Sequence, residues 1–296
     1  MTDTKLNKDV FVTRSFGAAA EGIKDQYADG KAAKVWGLCI GDKKERTQKY
    51  KDFLVGMLQK KGCKRILDVA CGTGVDSIML LEEGFDVVSV DASDKMLKYA
   101  LKSRWERRHE SQFDNWIIEE ANWMTLTDDI GHMIGDGFDA VICLGNSFAH
   151  MPDNFGDQRE QKYALINFEA CVKPGGLLLI DHRNYDHMIK GGKAPAKSLY
   201  YNSRHITDIK TGVLTLNGKA EMVFLDYFVR ENPESDVPEV ESYFRLSYYP
   251  HLLSVFTDLL DSVFDKQAKH SIYADFKPLE EVEVPGYYIH LMEKNV

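Results

Sequence analysis

The stretch Ile-Leu-Asp-Val-Ala-Cys-Gly-Thr-Gly at residues 66–74, continued by Val-Val-Ser-Val-Asp at residues 87–91, decides the fold of this chain. It predicts a buried strand, a tight glycine turn, a helix and a second buried strand that ends at an acid. Gly72 and Gly74 allow the backbone to turn sharply and to approach a ligand, because glycine has no Cβ. Asp91 stands where a carboxylate can accept hydrogen bonds from both hydroxyls of a ribose. The pattern therefore predicts a pocket for a cofactor that contains adenosine.

Two residues of this stretch bear on which cofactor binds. A dinucleotide-binding fingerprint has a third glycine where this chain has Ser77. Asp68, which precedes the turn, would repel a pyrophosphate but suits a ligand that carries an ammonium and a sulfonium. With the later acid, the turn resembles the S-adenosylmethionine site of class I methyltransferases. A nicotinamide oxidoreductase and an ordinary strand–helix turn are the alternatives that these residues argue against.

The composition narrows the class of protein. The 296 residues are 44% hydrophobic and 28% charged, as in a globular protein with one large domain or a domain with an insertion. The net charge of −9 argues against a nucleic-acid partner, since phosphate binding needs a basic surface. Five scattered cysteines without a Cys-x-x-Cys pair predict reduced thiols and no metal site. The polar start of the chain and the lack of a long apolar run predict a cytoplasmic protein with no membrane partner.

The order of the predicted elements indicates an α/β fold. Strands and helices alternate from residue 65 to residue 181, and the continuous apolar runs at 138–144 and 177–180 are typical of parallel strands that are buried on both faces. From about residue 195 the pattern changes to hairpin signals, above all Asn217-Gly218. We expect a Rossmann-like, mostly parallel, doubly wound sheet with an antiparallel β insertion and an N-terminal arm. The predicted segments are an arm at 1–30, a cofactor-binding core at 31–183, a substrate-binding or lid insertion at 184–242 and a completion of the core sheet at 243–296.

Three shorter predictions concern the second half of the chain. Lys173-Pro174-Gly175-Gly176 predicts a turn that leads into a strand at 176–181. Residues 243–249 predict a strand, and residues 251–264 predict an amphipathic helix.

Candidate site residues follow the predicted strands, because ligands bind at the carboxyl ends of strands in an open α/β sheet. Asn122 could hydrogen-bond the edge of an adenine, and Trp123 could either cover its face or pack in the core. A guanidinium at Arg183 is well placed to grip a small carboxylate with two hydrogen bonds, although a surface salt bridge is the alternative. The other strand-end candidates are residues 70–74, Asp91, residues 144–146 and residues 182–184.

Six motifs extend the resemblance over the whole chain. They are Asp-Gln-Tyr-Ala-Asp-Gly at 25–30, Leu-Asp-Val-Ala-Cys-Gly-Thr-Gly-Val-Asp-Ser at 67–77, Glu-Ala-Asn-Trp at 120–123, Leu-Gly-Asn-Ser-Phe-Ala-His at 144–150, Asp-His-Arg-Asn-Tyr at 181–185 and Arg-Leu-Ser-Tyr-Tyr-Pro at 245–250. With these motifs in this order, the chain resembles the glycine N-methyltransferase family. This resemblance covers the predicted insertion as well as the core.

The resemblance implies site residues, one by one. Arg46 would reach the methionyl carboxylate of S-adenosylmethionine, and Arg183 would bind the carboxylate of glycine. The implied cofactor-binding residues are Tyr27, Trp36, Cys39, Arg46, Ala70, Gly72, Gly74, Asp91, Ala92, Met96, Asn122, Trp123, Leu144, Tyr248 and Tyr287. The implied substrate-binding and catalytic residues are Arg183, Asn146, Tyr201, Tyr227, His150, Gly145 and Glu21.

The resemblance also implies an assembly and a form of control. The family is a homotetramer whose N-terminal arm reaches the active-site mouth of a neighbouring subunit, and Glu21 lies in the matching arm of this chain. Some members bind 5-methyltetrahydrofolate between subunits as an inhibitor. Here Phe11 stands for a tyrosine and Glu221 for a histidine of that site, and Cys39 stands for a tyrosine near the methyl donor. A thiol cannot supply the same hydrogen bond as a phenol, so Cys39 bears on turnover. A glutamate beside a ligand with its own glutamate tail would weaken binding, so Glu221 bears on folate control.

The implied reaction is transfer of the methyl group of S-adenosylmethionine to glycine, which gives sarcosine and S-adenosylhomocysteine and controls the ratio of methyl donor to product. Because the amine must be neutral to attack, we expect an activity that rises with pH into the alkaline range. His150 is either a proton acceptor or a buried structural histidine. One alternative is a glycine/sarcosine methyltransferase that makes dimethylglycine. The other is a binding protein for folate or the methyl donor with low turnover.

Overall fold

The computed structural model describes residues 10–14, 46–191, 193–194, 198–230 and 242–296. Its strands are β1 (Val10–Arg14), β2 (Arg65–Asp68), β3 (Asp86–Asp91), β4 (Ile117–Glu120), β5 (Phe138–Cys143), β6 (Val172–Arg183), β7 (Ile206–Leu216), β8 (Lys219–Val229), β9 (Ser242–Tyr248), β10 (Lys269–Ala274), β11 (Lys277–Pro278) and β12 (Tyr287–Glu293). Its α-helices are α1 (Gln48–Lys60), α2 (Val75–Glu82), α3 (Asp94–Glu106), α4 (Ser111–Asp114), α5 (Leu126–Asp129), α6 (Gly131–Ile134), α7 (Arg159–Cys171), α8 (Tyr185–Ile189) and α9 (Leu253–Asp261). Short 3₁₀ helices span Ser147–His150 and Leu279–Glu281.

The larger of the two sheets contains the predicted parallel core. Its strand order is β11-β10-β12-β6-β5-β2-β3-β4. The neighbours from β6 to β4 pair in parallel, whereas β12 and β10 pair antiparallel at the other side. Successive residues of the strands face opposite sides, so that Ile66 packs with helices α1 and α2 while Leu67 packs with α7 and α9. Helices thus cover both faces, and the predicted Rossmann-like, doubly wound α/β fold is confirmed.

The smaller sheet has the strand order β1-β7-β8-β9. Strands β7 and β8 form the predicted hairpin, and its turn residues Asn217 and Gly218 have φ angles of 51° and 82°, as a two-residue hairpin turn requires. Within β7, a Cβ added at Gly212 would lie 2.1 Å from a ring atom of Phe224. Glycine is therefore needed there to make room for the aromatic ring of the next strand.

The segment boundaries differ from the prediction in two places. The strand at Ser242–Tyr248 pairs with β8 of the smaller sheet, because its register continues the antiparallel insertion rather than the core sheet. Within the predicted arm, Val10–Arg14 forms a strand that pairs in parallel with β7 of the same chain. The division into four segments otherwise stays a prediction.

Some local predictions were imprecise. Lys173–Gly176 does not precede the strand but lies within β6, where the register with β5 shifts between Phe138 and Ala140. The amphipathic helix predicted at 251–264 is shorter and spans Leu253–Asp261. Strands β10 and β11 were not predicted, because their side chains are largely half-buried or exposed and show no clear apolar alternation.

Candidate functional site

A cavity of about 540 Å³ lies at the carboxyl ends of the parallel strands. Its walls come from the turn after β2, the loop after β3, the loop after β5, the end of β6, and tyrosines of the insertion and of β12. The lining residues are Arg46, Val69, Ala70, Cys71, Gly72, Thr73, Val75, Asp76, Asp91, Ala92, Ser93, Met96, Asn122, Trp123, Leu144, Gly145, Ser147, His150, Met151, Arg183, Tyr200, Tyr201, Tyr248 and Tyr287. This is the position that the strand-end argument predicted.

The Asp91 carboxylate holds two loops of the cavity together. Its Oδ2 accepts a hydrogen bond from the backbone N–H of Gly72 at 2.9 Å, and its Oδ1 accepts one from the N–H of Ser93 at 2.9 Å. Gly72 has a φ of 54°, which is favoured only for glycine, and its missing Cβ leaves space that opens on Met96. The acid at the end of β3 therefore shapes the glycine turn, and it lines the cavity.

The second glycine of the turn has a different role from the one expected. Gly74 is outside the cavity lining and forms the N-cap of α2 with a φ of 82°. A Cβ at this position would lie 2.7 Å from Cη2 of Trp116 and 3.0 Å from Cβ of Ala100. The glycine is thus required for packing of the turn against the core, and the cofactor contact implied for Gly74 stays a prediction.

Asp68 lies behind the turn, where it belongs to a buried hydrogen-bonded chain. The Trp116 indole donates to the Ser89 hydroxyl at 2.8 Å, Ser89 donates to Ser77 at 2.8 Å, and Ser77 donates to Oδ2 of Asp68 at 2.7 Å. Burial raises the pKa of the Asp68 carboxyl to about 7. The serine that replaces the third glycine of a dinucleotide motif is therefore a hydrogen-bond donor to this acid.

The predicted adenine-binding pair lies at the edge of the cavity. Trp123 donates its indole N–H to the carbonyl of Val69 at 2.7 Å and stacks on Phe148 with ring centroids 5.5 Å apart. Asn122 accepts a hydrogen bond from the N–H of Met124 at 2.9 Å through its side-chain oxygen. Trp123 therefore packs against the core and also lines the cavity, and its contact with an adenine stays a prediction.

Arg46 and Asp76 form an ion pair in the cavity wall. Arg46 Nε lies 2.8 Å from Asp76 Oδ1, and both residues line the cavity. The backbone of Arg46 also forms a bridge with Tyr201. Asp76 was not predicted as a site residue, although an acid in the first turn of α2 next to the glycine turn was a visible signal.

The loop after β5 holds the backbone of Arg183. Gly145 and Asn146 both have left-handed φ angles, of 79° and 66°. The Asn146 backbone N–H donates to Asp181 at 2.8 Å, and its side-chain oxygen accepts from the N–H of Arg183 at 3.0 Å and from the Tyr185 hydroxyl at 3.0 Å. Asn146 is buried and its side-chain oxygen fixes the end of β6, while its Nδ2 has no hydrogen-bond partner among the described residues.

The Arg183 guanidinium is buried, lines the cavity and is surrounded by phenols. Arg183 is only 4% exposed. Its Cζ lies 4.8 Å from the centroid of the Tyr287 ring, and its Nη2 lies 3.4 Å from the Tyr227 hydroxyl. Tyr227 in turn lies 3.3 Å from the Tyr248 hydroxyl. No carboxylate within the described ranges forms an ion pair with Arg183, and its Nε has no hydrogen-bond partner there. A buried cation of this kind is suited to an anionic ligand.

Two further groups define the acid–base character of the wall. The Tyr200 hydroxyl donates to Asp181, and burial raises the pKa of Asp181 to about 6. Burial lowers the pKa of His150 to about 4, and its ring lies 4.7 Å from that of Tyr248. Because an imidazole with such a pKa is a weak base, His150 is suited to hydrogen bonding rather than to taking a proton from an ammonium.

Most of the predicted site residues that the structure describes lie together. The residues that line the cavity are Arg46, Ala70, Gly72, Asp91, Ala92, Met96, Asn122, Trp123, Leu144, Gly145, His150, Arg183, Tyr201, Tyr248 and Tyr287. Asn146 and Tyr227 support Arg183 from behind, and Gly74 packs on the core. The predictions for Glu21, Tyr27, Trp36 and Cys39 lie outside the described residues. The ligand contacts of all these residues stay predictions.

The cavity fits the methyl donor that the turn predicts. Buried polar atoms without partners in the described part of the chain include the hydroxyls of Thr73 and Ser93, both in the wall, and Arg183 Nε. Such atoms are costly unless a ligand or water satisfies them. The wall also contains carboxylates, which suit an ammonium, and a cation, which suits a carboxylate. Hydroxyls and aromatic rings line the rest of it. Among the described residues, no cluster of histidine, cysteine and acidic side chains could hold a metal ion, and no helix is both long and apolar enough to cross a membrane.

Comparisons with known proteins agree with this geometry. A family profile described as a methyltransferase domain matches residues 60–223. A glycine N-methyltransferase from Oryctolagus cuniculus is 59% identical over 289 residues, which cover 96% of this chain and 98% of that protein. A glycine/sarcosine N-methyltransferase from Halorhodospira halochloris is 31% identical over 95% of this chain and 96% of that protein. In fold, the chain resembles an S-adenosylmethionine-dependent methyltransferase from Clostridium acetobutylicum, with a TM-score of 0.62, 16% identity and coverage of 90% of this chain and 99% of that one.

Proposed function

Because the chain belongs to the glycine N-methyltransferase family, we propose that it transfers the methyl group of S-adenosylmethionine to the amino group of glycine, with sarcosine and S-adenosylhomocysteine as the products. The observation that carries the choice of acceptor is the buried Arg183 guanidinium, which lines the cavity without a carboxylate partner in the described chain. A glycine carboxylate would satisfy this charge, and glycine is small enough to leave the rest of the cavity to the cofactor.

The residues present would hold the cofactor at the β2–α2 side of the cavity. The glycine turn, Asp91 and Asn122, which line this part of the cavity, would bind the adenosine part. Arg46, whose Nε pairs with Asp76, would bind the methionyl carboxylate through its other guanidinium N–H groups. When bound, S-adenosylmethionine supplies an electrophilic methyl group on a sulfonium. The rest of the chemistry depends on how this chain orients glycine.

Alignment is the main contribution of the chain to the rate. Arg183 would fix the carboxylate of glycine, and Gly145 and Tyr201, which also line the cavity, would orient the amine. Holding two reactants in line can contribute on the order of 7–11 kcal/mol in favourable cases. The hydroxyls and rings of Tyr227, Tyr248 and Tyr287 form a polar aromatic wall around Arg183, and such a wall favours the positive charge that develops on the amine.

Glycine loses its ammonium proton to solvent before the methyl transfer, and His150 does not accept that proton. Burial lowers the pKa of His150 to about 4, far below that of an aliphatic ammonium. The reactive species is therefore the free amine from solution, and the rate rises with pH as its fraction grows. A rate that stays flat from neutral to alkaline pH would contradict attack by the free amine.

Finer features of the function follow the family resemblance. We infer a cytoplasmic homotetramer with N-terminal arms exchanged between subunits and with inhibition by 5-methyltetrahydrofolate. We also infer an enzyme of one-carbon metabolism that controls the ratio of methyl donor to product. The pairing of Val10–Arg14 with β7 places one piece of the arm on its own chain. Exchange would therefore involve arm residues outside this strand.

The test of the proposal is a methyl-transfer assay with labelled S-adenosylmethionine and with glycine or sarcosine as acceptor. Sarcosine formed from glycine with little dimethylglycine supports the proposal. Accumulation of dimethylglycine would instead favour the activity named for the Halorhodospira relative. Cofactor binding without transfer to either acceptor would favour a binding protein.

Arg183→Lys tests the glycine site within the same assay. Lysine keeps the charge but loses the planar fork, so kcat/KM for glycine should fall about ten- to hundredfold, the value of one charge-assisted hydrogen bond. The Kd for S-adenosylmethionine, measured by calorimetry, should change little. Arg104→Lys, at an arginine that hydrogen-bonds Phe113 and Asp114 outside the cavity, is the matched control. Unchanged glycine kinetics in Arg183→Lys would remove this residue from the site.

A further inference from the structure

Three histidines lie on three neighbouring strands behind Arg183. His182 is on β6, His290 on β12 and His270 on β10. His182 is opposite Tyr288, and His270 is opposite Met292, so each is one diagonal step from His290. Because residues two apart on a strand face the same side, the three imidazoles share one face of the sheet. Phe256 of α9 covers two of them, with ring centroids 5.0 Å from His182 and 5.1 Å from His290.

The three imidazoles are joined in a continuous hydrogen-bonded chain. His182 Nδ1 lies 2.8 Å from the carbonyl oxygen of Arg183, and His182 Nε2 lies 3.1 Å from His290 Nε2. His290 Nδ1 lies 2.9 Å from His270 Nε2, and His270 Nδ1 lies 2.7 Å from Oδ1 of Asp261. The chain runs from the backbone of Arg183 to a half-exposed carboxylate on α9.

The two ends of this hydrogen-bonded chain can only accept, and they fix the direction of every hydrogen bond when His182 and His290 are neutral. The Arg183 carbonyl can only accept, so the Nδ1 of His182 must carry a proton, and a neutral His182 then accepts from His290 through Nε2. His290 therefore carries its proton on Nε2 and accepts from His270 through Nδ1. At the other end, the ionised Asp261 carboxylate also can only accept.

The four hydrogen bonds need one more proton than three neutral imidazoles carry. Four hydrogen bonds between two acceptors require four N–H groups, whereas three neutral imidazoles supply three. The chain is complete only if one imidazole is doubly protonated. His270 is the member beside the carboxylate and the member nearest to solvent, while His182 and His290 are fully buried.

We propose that His182, His290 and His270 form a hydrogen-bonded chain that holds one extra proton on His270 against Asp261, and that this chain positions the backbone of Arg183. The role in glycine binding rests on the proposed function, whereas the proton count does not. Together with Asn146, which accepts from the N–H of Arg183, the chain would hold both polar backbone groups of this residue.

The surroundings of the chain agree with this assignment. Burial lowers the pKa of His182 to about 4 and lowers that of His290 well below its usual value, so the extra charge is disfavoured on either. The titratable and charged groups that face the chain from other elements are His251 before α9, Asp186 of α8, Tyr185, Tyr288 and Asp261. The acid in hydrogen-bond contact with a ring nitrogen of the chain is Asp261, at His270.

The proton count is tested by nitrogen-15 NMR of histidine-labelled protein near neutral pH, with a His270→Gln variant to assign the resonances. We expect His182 with its proton on Nδ1, His290 with its proton on Nε2, and His270 with protons on both nitrogens. A neutral His270, or His182 protonated on Nε2 alone, would overturn the chain. This result does not depend on any methyl transfer, so it separates the chain from the proposed function.

The positioning role is tested with Asp261→Asn. An amide can donate to a neutral His270, so this variant completes the chain without the extra proton. In the unaltered protein, KM for glycine should rise about three- to tenfold at alkaline pH relative to the variant, as one net hydrogen bond is lost, while KM for S-adenosylmethionine stays the same. Asp258→Asn on the same helix is the matched control, because it removes the same charge outside the chain. If KM for glycine changes with pH in the same way in the unaltered protein, Asp261→Asn and Asp258→Asn, the histidine chain does not position Arg183.

Discussion

Replacing Gly74 with alanine tests the packing role that the structure gives this glycine. Two costs combine at this position. The φ of 82° is left-handed, which costs an alanine about 1–2 kcal/mol. The new methyl group would also lie 2.7 Å from Trp116 Cη2 and 3.0 Å from Ala100 Cβ. Trp116 is fully buried and its indole is held by Ser89 at 2.8 Å, so the ring cannot easily move.

Overpacking of this kind costs about 1–3 kcal/mol, so we expect Gly74→Ala to lower the free energy of unfolding by about 2–5 kcal/mol in total. Gly84→Ala is the matched control, since Gly84 has a φ of 87° but a Cβ there would meet no atom within 4 Å. The control should lose about 1–2 kcal/mol, the backbone cost alone. The difference between the two variants therefore isolates the contact with Trp116 and Ala100.

The assay is denaturant unfolding followed by the fluorescence and the far-ultraviolet circular dichroism of both variants and the unaltered protein. The midpoints should shift with unchanged slopes, since no change in exposed surface is expected. If Gly74→Ala loses no more stability than Gly84→Ala, the claim that Gly74 is required for packing is wrong.

Three further predictions concern the acids and the histidine of the site. Asp91→Ala removes the acceptor of two backbone N–H groups, and the Kd for S-adenosylmethionine should rise at least about tenfold by calorimetry; an unchanged Kd would refute a role of Asp91 in the cofactor site. The pKa of Asp68 is raised from 3.8 to about 7, so the folded state binds its proton more tightly than the unfolded state does, and the free energy of unfolding falls as the pH rises through this range. Asp68→Asn should flatten that slope in unfolding curves measured at several pH values, and an identical slope in both proteins would contradict the assignment. His150→Gln should leave the shape of the pH profile of kcat unchanged in the neutral to alkaline range, because the pKa of His150 is lowered to about 4; a profile that loses a limb would restore His150 as a base.

The sequence predicted those parts of the fold and site that depend on local pattern. The glycine turn and the acid at Asp91 lie within one strand–turn–helix–strand unit, so their spacing alone places them together. The position of Arg183 followed from a rule about strand ends, and the hairpin followed from Asn217-Gly218. These features need no knowledge of which strands become neighbours.

The features that were missed depend on contacts between distant segments. Gly74 could not be assigned to packing, because Trp116 meets it only after β4 has joined the sheet. The pairing of His182 with His290 depends on the antiparallel register of β12 with β6, which no local pattern specifies. Likewise, β9 could not be placed in the smaller sheet, since its residues have the same alternation that a core strand would have. Register and strand order are properties of the whole fold.

The parallel pairing of β1 with β7 also bears on aggregation of the folded protein. Val10–Arg14 occupies the hydrogen-bonding edge of β7, from Thr211 to Thr215. A chain clipped by a protease after these residues would expose that edge as a row of unpaired N–H and C=O groups, which is a template for addition of a strand from another molecule. Val10–Arg14 thus covers an edge that would otherwise be open to strand addition.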